Sequence, residues 1–162
     1  NTNAAAAGGA ITALFLTQIV YKKVDLTMVL NGALAGLVSI TAEPLTPGLG
    51  VATLIGGVGG VIVVFAVPML DKFKIDDVVG AIPVHLIAGI WGTLAVVITN
   101  PDATLMAQLT GIVVIGLFAF IVSLIVWMIL AKTIGIRVSE EAEMAGLDNS
   151  ELGMDSYPEF SR

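Results

Sequence analysis

The single histidine of this chain, His85, lies in a stretch of sequence, residues 78–99, that contains no charged residue. The stretch exceeds the roughly 20 apolar residues that a helix needs to cross a bilayer. His85 is therefore predicted to lie inside a membrane, where an ionisable side chain is costly and by default marks a path for ions, protons or substrate. A neutral imidazole offers one hydrogen-bond donor and one acceptor, so it could orient a small polar molecule or exchange a proton with it.

A purely structural role for this histidine stays open at this point, since a buried imidazole can simply bond a Ser, a Thr or a backbone carbonyl. At about 100° per residue, Ala81, His85, Gly89 and Gly92 share one stripe of the helix and Trp91 lies on the other side. The small residues on that stripe predict that the imidazole points into the protein. No second His, Asp or Glu falls at membrane depth, so no metal site and no cofactor are expected.

Other polar residues flank this helix or lie on a neighbouring one. Asp76 and Asp77 precede the helix, where carboxylates accept from free backbone N–H groups, so capping is the expected role and a substrate role the alternative. Asn31 is expected to bond a neighbouring helix or cap a helix end rather than bind substrate directly. Pro83 removes one backbone hydrogen bond and clashes with the carbonyl of Val79, which predicts a kink or local widening before the histidine.

The overall composition indicates an integral membrane protein: 57% of the residues are hydrophobic, 12% are charged, and the mean hydropathy is +0.99. A lipid-exposed backbone must satisfy its own hydrogen bonds, and the apolar runs are too long and uniform for barrel strands, so each is predicted to be a helix. The predicted fold is an all-α polytopic bundle with a transmembrane part, 1–131, and a tail, 132–162. Its apolar stretches cover about 4–20, 26–42, 48–70, 78–99 and 105–131.

The distribution of basic residues predicts the orientation, because Lys and Arg are retained on the cytoplasmic side. The second and fourth loops carry only an acid each, Glu43 and Asp102. The tail is therefore expected in the cytoplasm and the first residues outside. The net charge of −6 lies mostly in that tail and does not indicate nucleic acid binding. The seven cations on the predicted cytoplasmic side are Lys22, Lys23, Lys72, Lys74, Lys132, Arg137 and Arg162.

The chain starts on an Ala-rich apolar stretch with no charged n-region and no cleavage pattern, so we expect a larger protein with further sequence upstream rather than a signal peptide. It contains no cysteine, which excludes a disulfide and a thiolate metal site. Small residues recur at helix-packing spacing, as in 32–36 and 56–60. In lipid, close backbone approach through such residues supplies the packing contacts.

Three ordered blocks of this sequence resemble the ammonium transporter family (Amt, Mep and Rh proteins), most closely its Amt branch. The blocks are residues 31–38, then Asp76 and Asp77 with residues 84–85 and 89–93, then residues 135–141 with Glu143 and 146–148. The resemblance covers the whole chain with compatible spacing. It implies an eleven-helix fold of which this chain supplies the C-terminal five helices, from part of helix seven onward, without the first of two inverted repeats.

The resemblance also implies a function, which is transmembrane ammonium transport in the plasma membrane. Ammonium would be recruited outside and lose a proton, and ammonia would then pass a histidine pair in an apolar pore. His85 resembles the second histidine of the pair, Ala81 matches a pore-wall position, and Gly80 stands where some relatives carry an acid. Moving an intact cation through a dry pore would be costly, which agrees with this route.

The resemblance further implies a homotrimer with one pore per subunit, a cytoplasmic C-terminus and contact with a cytosolic signal protein of the PII type. Leu152 stands where many relatives have His. An ammonium-sensing receptor of the same fold is the alternative function, which a long signalling domain after the tail would favour. An enzyme is not expected, because no nucleophile or metal set is visible. The tail residues that match the family's regulatory segment are Arg137, Glu140, Glu143, Gly146 and Asp148.

Overall fold

The computed structural model describes residues 1–160 and contains helices and turns, with no strand in that range. Arg162, one of the cations on which the predicted orientation rests, lies outside the described residues. The helices are α1 (Thr2–Tyr21), α2 (Leu26–Ile40), α3 (Leu49–Lys72), a π-helical segment (Ile82–Ile87) continued by α4 (Ala88–Thr99), α5 (Leu105–Thr133), α6 (Glu140–Ala145) and a short second π-helical segment (Asp148–Leu152).

Four of these helical stretches are long and apolar enough to cross a membrane. They confirm the all-α membrane fold class that hydropathy predicted. Of the five apolar stretches that the sequence predicts as helices, only α2 is too short. Its 15 residues span about 22 Å, less than the roughly 30 Å of a bilayer's hydrocarbon core. The four candidate spans are Thr2–Tyr21, Leu49–Lys72, Ile82–Thr99 and Leu105–Thr133.

The fourth span begins later than the hydropathy pattern predicts, at Ile82 rather than at residue 78. Residues 78–80 form a turn, in which Gly80 is buried and has a φ of +77°. An L residue rarely adopts this left-handed conformation, and a helix cannot continue through it. Asp76 and Asp77 therefore lie in a loop, and Pro83 lies near the start of the helix instead of well inside it.

The first compact unit, Asn1–Val114, is built on close backbone contact between α1, α2 and α3. A side chain on Gly9 would overlap the carbonyl of Gly32, and one on Gly36 or Gly56 would overlap the carbonyl of Ala5. The predicted packing role of these small residues is confirmed. The helices approach this closely because lipid provides little hydrophobic drive for association, so van der Waals contact must hold the bundle.

Polar side chains also join neighbouring helices by hydrogen bonds to backbone carbonyls. The hydroxyl of Tyr21 donates to the Val64 carbonyl at 3.0 Å, and the indole N–H of Trp91 donates to the Ile55 carbonyl at 3.0 Å. Such bonds satisfy the polar tips of aromatic side chains whose rings lie against apolar neighbours. They fix α1 and α4 against α3.

The second compact unit runs from Ile115 through the rest of α5 and the tail. Among the described residues of α5 none is buried, and most of its exposed side chains are apolar. In the tail, α6 starts at the N-cap Ser139, whose hydroxyl accepts from the N–H of Ala142 at 3.2 Å. Capping of this kind lets a helix of six residues form where little apolar surface is available.

Candidate functional site

The histidine lies in the middle of the π-helical segment Ile82–Ile87. Pro83, the second residue of the segment, has no N–H, and the N–H of Ala88 donates to the Pro83 carbonyl five residues earlier. The local widening predicted from the proline is confirmed, although it surrounds His85 instead of preceding it. Wide turns of this type are rare and occur often at functional sites.

The imidazole of His85 is exposed on the surface of the described chain, and so is Ala81 one turn earlier. The neighbours of the histidine on the other side, Val84 and Ala88, are buried and pack in one cluster with Ala35 of α2 and Val63 of α3. Within residues 1–160 neither ring nitrogen of the histidine makes a hydrogen bond. The structural alternative, a buried imidazole bonded to a neighbouring group, is therefore not what the structure shows.

The predicted stripe of small residues is partly wrong, and the π-helical segment is the reason. Each hydrogen bond of the segment spans one residue more than an α-helical bond. Successive side chains in the segment are therefore rotated by less than the 100° per residue of an α-helix. Gly92 is buried against the backbone of Ser39, whereas His85 is exposed. Trp91, predicted on the face away from the core, packs on the core cluster and bonds α3. On the described chain the imidazole is exposed, and its direction into the interior of the complete protein stays a prediction.

The turn before the segment is held by Asp77, as a helix cap. Its two carboxylate oxygens accept from the N–H groups of Ala81 at 2.8 Å and Ile82 at 2.7 Å. These N–H groups have no partner inside the helix, so the carboxylate satisfies them and complements the helix dipole. Asp76 is exposed and makes no such bond among the described residues. Capping, the expected role of the pair, falls to Asp77 alone.

Asn31 bonds the same turn from the neighbouring helix α2. Its side-chain nitrogen donates to the Val79 carbonyl at 3.0 Å, and the residue is only 8% exposed. This is the predicted bond to a neighbouring element. A side chain on Gly80 would lie 2.8 Å from that nitrogen and 3.3 Å from a methyl group of Val67. The amide of Asn31 therefore occupies the space that an acid at position 80 would need.

Sequence reasoning named Val79 and Gly80 but missed the turn that they form and its contact with Asn31. The signal available in the sequence is a glycine three residues before a proline at the start of an apolar run. What the sequence does not show is the partner, because Asn31 and Val79 are 48 residues apart in the chain.

The loops at one end of the first unit carry all the lysines of that unit, as the sequence predicts. Lys22 and Lys74 adopt left-handed backbone conformations, with φ of 60° and 58°, at the ends of α1 and α3. The same loops and helix ends contribute as many carboxylates as ammonium groups, so this end is mixed rather than basic. The charged residues concerned are Lys22, Lys23, Lys72, Lys74, Asp25, Asp71, Asp76 and Asp77.

The opposite end of the first unit has no basic side chain and is closed by amide hydrogen bonds. The side chain of Asn1 donates to the carbonyls of Pro44 and Pro47 at 3.0 Å and 2.6 Å, and that of Asn100 donates to Glu43 at 3.2 Å. Hydrogen bonds from the Thr46 side chain and then from Asn100 hold the pKa of the Glu43 carboxyl below its usual value. This carboxylate is therefore charged at neutral pH.

The five tail residues that match the regulatory segment lie in a locally ordered stretch, in which two of them form an ion pair. Arg137 pairs with Glu143 at 2.7 Å and 2.8 Å, and Glu140 lies at the start of α6, where an acid complements the helix dipole. Gly146 ends α6 with a φ of +92°. The backbone N–H of Ser156 donates to Asp148 at 2.8 Å and is the main cause that lowers the pKa of this carboxyl.

Comparison with known proteins gives one consistent result. The model of the ammonium transporter family matches residues 1–157. The chain is 39% identical, over 99% of its length, to the ammonium transporter Amt2 of Archaeoglobus fulgidus, and 41% identical, over 94%, to a putative ammonium transporter of Synechocystis. It spans 38% and 36% of the length of these two relatives.

Solved structures give the same picture. A protein described as a sensor Amt protein superposes with a TM-score of 0.85 at 31% identity, over 93% of this chain and 40% of that one. The N240A mutant of Candida albicans Mep2 superposes with a TM-score of 0.78 at 26% identity, over 94% of this chain and 38% of that one. The fold of the chain is therefore similar to that of these proteins.

Proposed function

Because this chain belongs to the ammonium transporter family, we propose that it forms part of a membrane pore that carries ammonium nitrogen across the plasma membrane. The observation that carries this proposal is the exposed, unbonded imidazole of His85 on a wide turn of an uncharged membrane helix. A side chain with one free donor and one free acceptor at membrane depth is costly unless a polar molecule uses it.

The chemistry follows from the size and charge of the substrate. Transfer of an intact ammonium ion through an apolar passage costs several kcal/mol or more, whereas ammonia is neutral. A neutral imidazole can donate to the nitrogen lone pair of ammonia or accept one of its hydrogens. His85 therefore orients the molecule along the passage, and Ala81 supplies an apolar wall beside it. The first histidine of the pair would come from sequence outside this chain.

Substitution of His85 tests this proposal in the complete protein. His85→Ala abolishes or sharply alters ammonium uptake into proteoliposomes, while membrane insertion and oligomer size stay unchanged. The matched control is Leu86→Ala, which removes an exposed apolar side chain from the same segment and leaves uptake normal. Normal uptake and normal selectivity in a well-expressed His85→Ala protein would remove this residue from the pore.

A sensor is the second candidate, since one of the superposed structures is described as a sensor Amt protein. The same site would then bind ammonium and report occupancy through the tail, without passage. Uptake by the reconstituted complete protein supports the transporter. Saturable ammonium binding without uptake, together with a change of tail conformation, supports the sensor.

We further propose that the complete protein is a homotrimer with the tail in the cytoplasm. In the tail, Arg137, Glu140, Glu143, Gly146 and Asp148 shape a segment that docks on the cytoplasmic loops of a neighbouring subunit and contributes to the surface met by a PII-type protein. Support comes from the small apolar surface of the segment, which has no buried residue in either of its short helices. Such a segment gains order chiefly by docking.

A further inference from the structure

The carbonyl of Val79 lies in the turn that precedes the π-helical segment, outside the helical hydrogen-bond ladder. A partly buried carbonyl without a donor is costly. The carbonyl nevertheless has a partner, because the side-chain nitrogen of Asn31 donates to it at 3.0 Å.

We propose that Asn31 is a positioning residue for His85, because its side-chain amide donates from α2 to the Val79 carbonyl and so fixes the turn from which the histidine's segment starts. The inference rests on the proposed function of His85, since positioning matters only if the imidazole meets the substrate. Nothing in it requires Asn31 to touch ammonium.

The geometry around the bond supports a fixed turn. Gly80 is buried, has a φ of +77°, and leaves no space for a side chain beside the Asn31 amide. Asp77 closes the other side of the turn through its bonds to Ala81 and Ile82. The Asn31 amide and the Asp77 carboxylate thus hold the turn from two sides.

The exposed position of the imidazole also depends on this turn. Val84 and Ala88 are buried against α2 and α3, so the segment is held on the side opposite the histidine by packing alone. Rotation of the segment about its axis is limited at its start by the bond between Asn31 and Val79. If this bond is lost, the carbonyl turns toward another donor and the imidazole moves with the backbone.

Transport measurements on the complete protein in proteoliposomes test the proposal. Asn31→Leu has a similar volume and no donor, and Asn31→Asp is nearly isosteric and presents only acceptors to the carbonyl when ionised. Both are expected to lower the maximal ammonium rate per molecule by roughly 10-fold to 100-fold, as for a reacting group displaced by about 1 Å. They also change the ratio of the ammonium to the methylammonium rate, which a mere loss of folded protein would not alter.

The matched control is Ser39→Ala, which removes another buried side-chain hydrogen bond of α2, to the Ala35 carbonyl at 2.7 Å, without touching the turn. It leaves the rate per molecule and the selectivity ratio unchanged. Unchanged values in both Asn31 variants, alongside a defective His85→Ala protein, would overturn the positioning role and leave the proposed function standing. A normal His85→Ala protein would instead overturn the proposed function.

A structure of the Asn31→Leu protein with an undisplaced His85 ring would overturn the positioning role.

Discussion

At the scale of single residues, glycines allow the backbones of two helices to come into contact. Gly56 of α3 lies so close to Ala5 of α1 that a Cβ would overlap the Ala5 carbonyl. Gly50, on the first turn of the same helix, has nothing within 4 Å of the corresponding position. The two glycines lie on the same helix, but only Gly56 contacts α1. They therefore form a matched pair for measuring how much the contact between α1 and α3 contributes to stability.

Gly56→Ala is expected to destabilise the complete protein by about 1–3 kcal/mol, because the backbones of α1 and α3 must separate to admit a methyl group. Gly50→Ala should leave stability unchanged or raise it by about 0.5 kcal/mol, since it only restricts the unfolded chain. The midpoint of thermal unfolding in detergent measures both. Equal midpoints for the two variants would mean that α1 and α3 can shift apart without loss.

At the scale of elements, the two short π-helical segments occur where the chain carries its candidate functional residues. The first presents His85, and the second follows Gly146, whose φ of +92° lets the chain turn from α6 into the next segment. A Cβ on Gly146 would lie 2.6 Å from a carboxylate oxygen of Asp148. The tail conformation therefore depends on a glycine at this position.

Gly146→Asp should disrupt this tail conformation, because it adds backbone strain and a second carboxylate beside Asp148. If the tail couples subunits, transport falls in every subunit of a mixed trimer, including the unsubstituted ones. Asn149→Asp adds the same charge at an exposed position without left-handed backbone and should leave transport near normal. Activity that declines in simple proportion to the fraction of Gly146→Asp subunits would show that the tail is only a solvated end.

At the scale of the whole molecule, the two ends of the first unit differ in charge. Every lysine of that unit lies at one end, while the other end is closed by Asn1, Asn100 and the carboxylate of Glu43. The lysine-bearing end also contains an equal number of aspartates. Because the insertion machinery responds to Lys and Arg and little to Asp and Glu, the lysines still predict a cytoplasmic position for that end.

Accessibility of introduced cysteines measures this orientation in the complete protein. Single cysteines at Thr46 and Ala103 are expected to react with a membrane-impermeant thiol reagent added to intact cells, and cysteines at Lys23 and Lys74 are not. The chain has no cysteine of its own, so only thiols outside this sequence would need removal. Labelling at the two lysine positions alone would reverse the orientation.

The sequence by itself determined the class of the protein, its helical content and the family. Hydropathy and the positions of lysines are properties of local composition, and a bilayer responds to them directly. The three blocks that resemble the family can also be recognised without a structure, because each consists of residues close together in the sequence. Pro83 allowed the widening to be predicted, because a missing N–H is a covalent fact.

Only the tertiary structure decided where the histidine's helix starts, which way its side chains face and which donor bonds the turn before it. The 100° periodicity assumes α-helical bonding, and the π-helical segment breaks that assumption between His85 and Gly92. The donor to Val79 comes from Asn31, on another helix 48 residues away. Side-chain direction depends on such contacts between distant segments, whereas hydropathy sums only over neighbours in the chain.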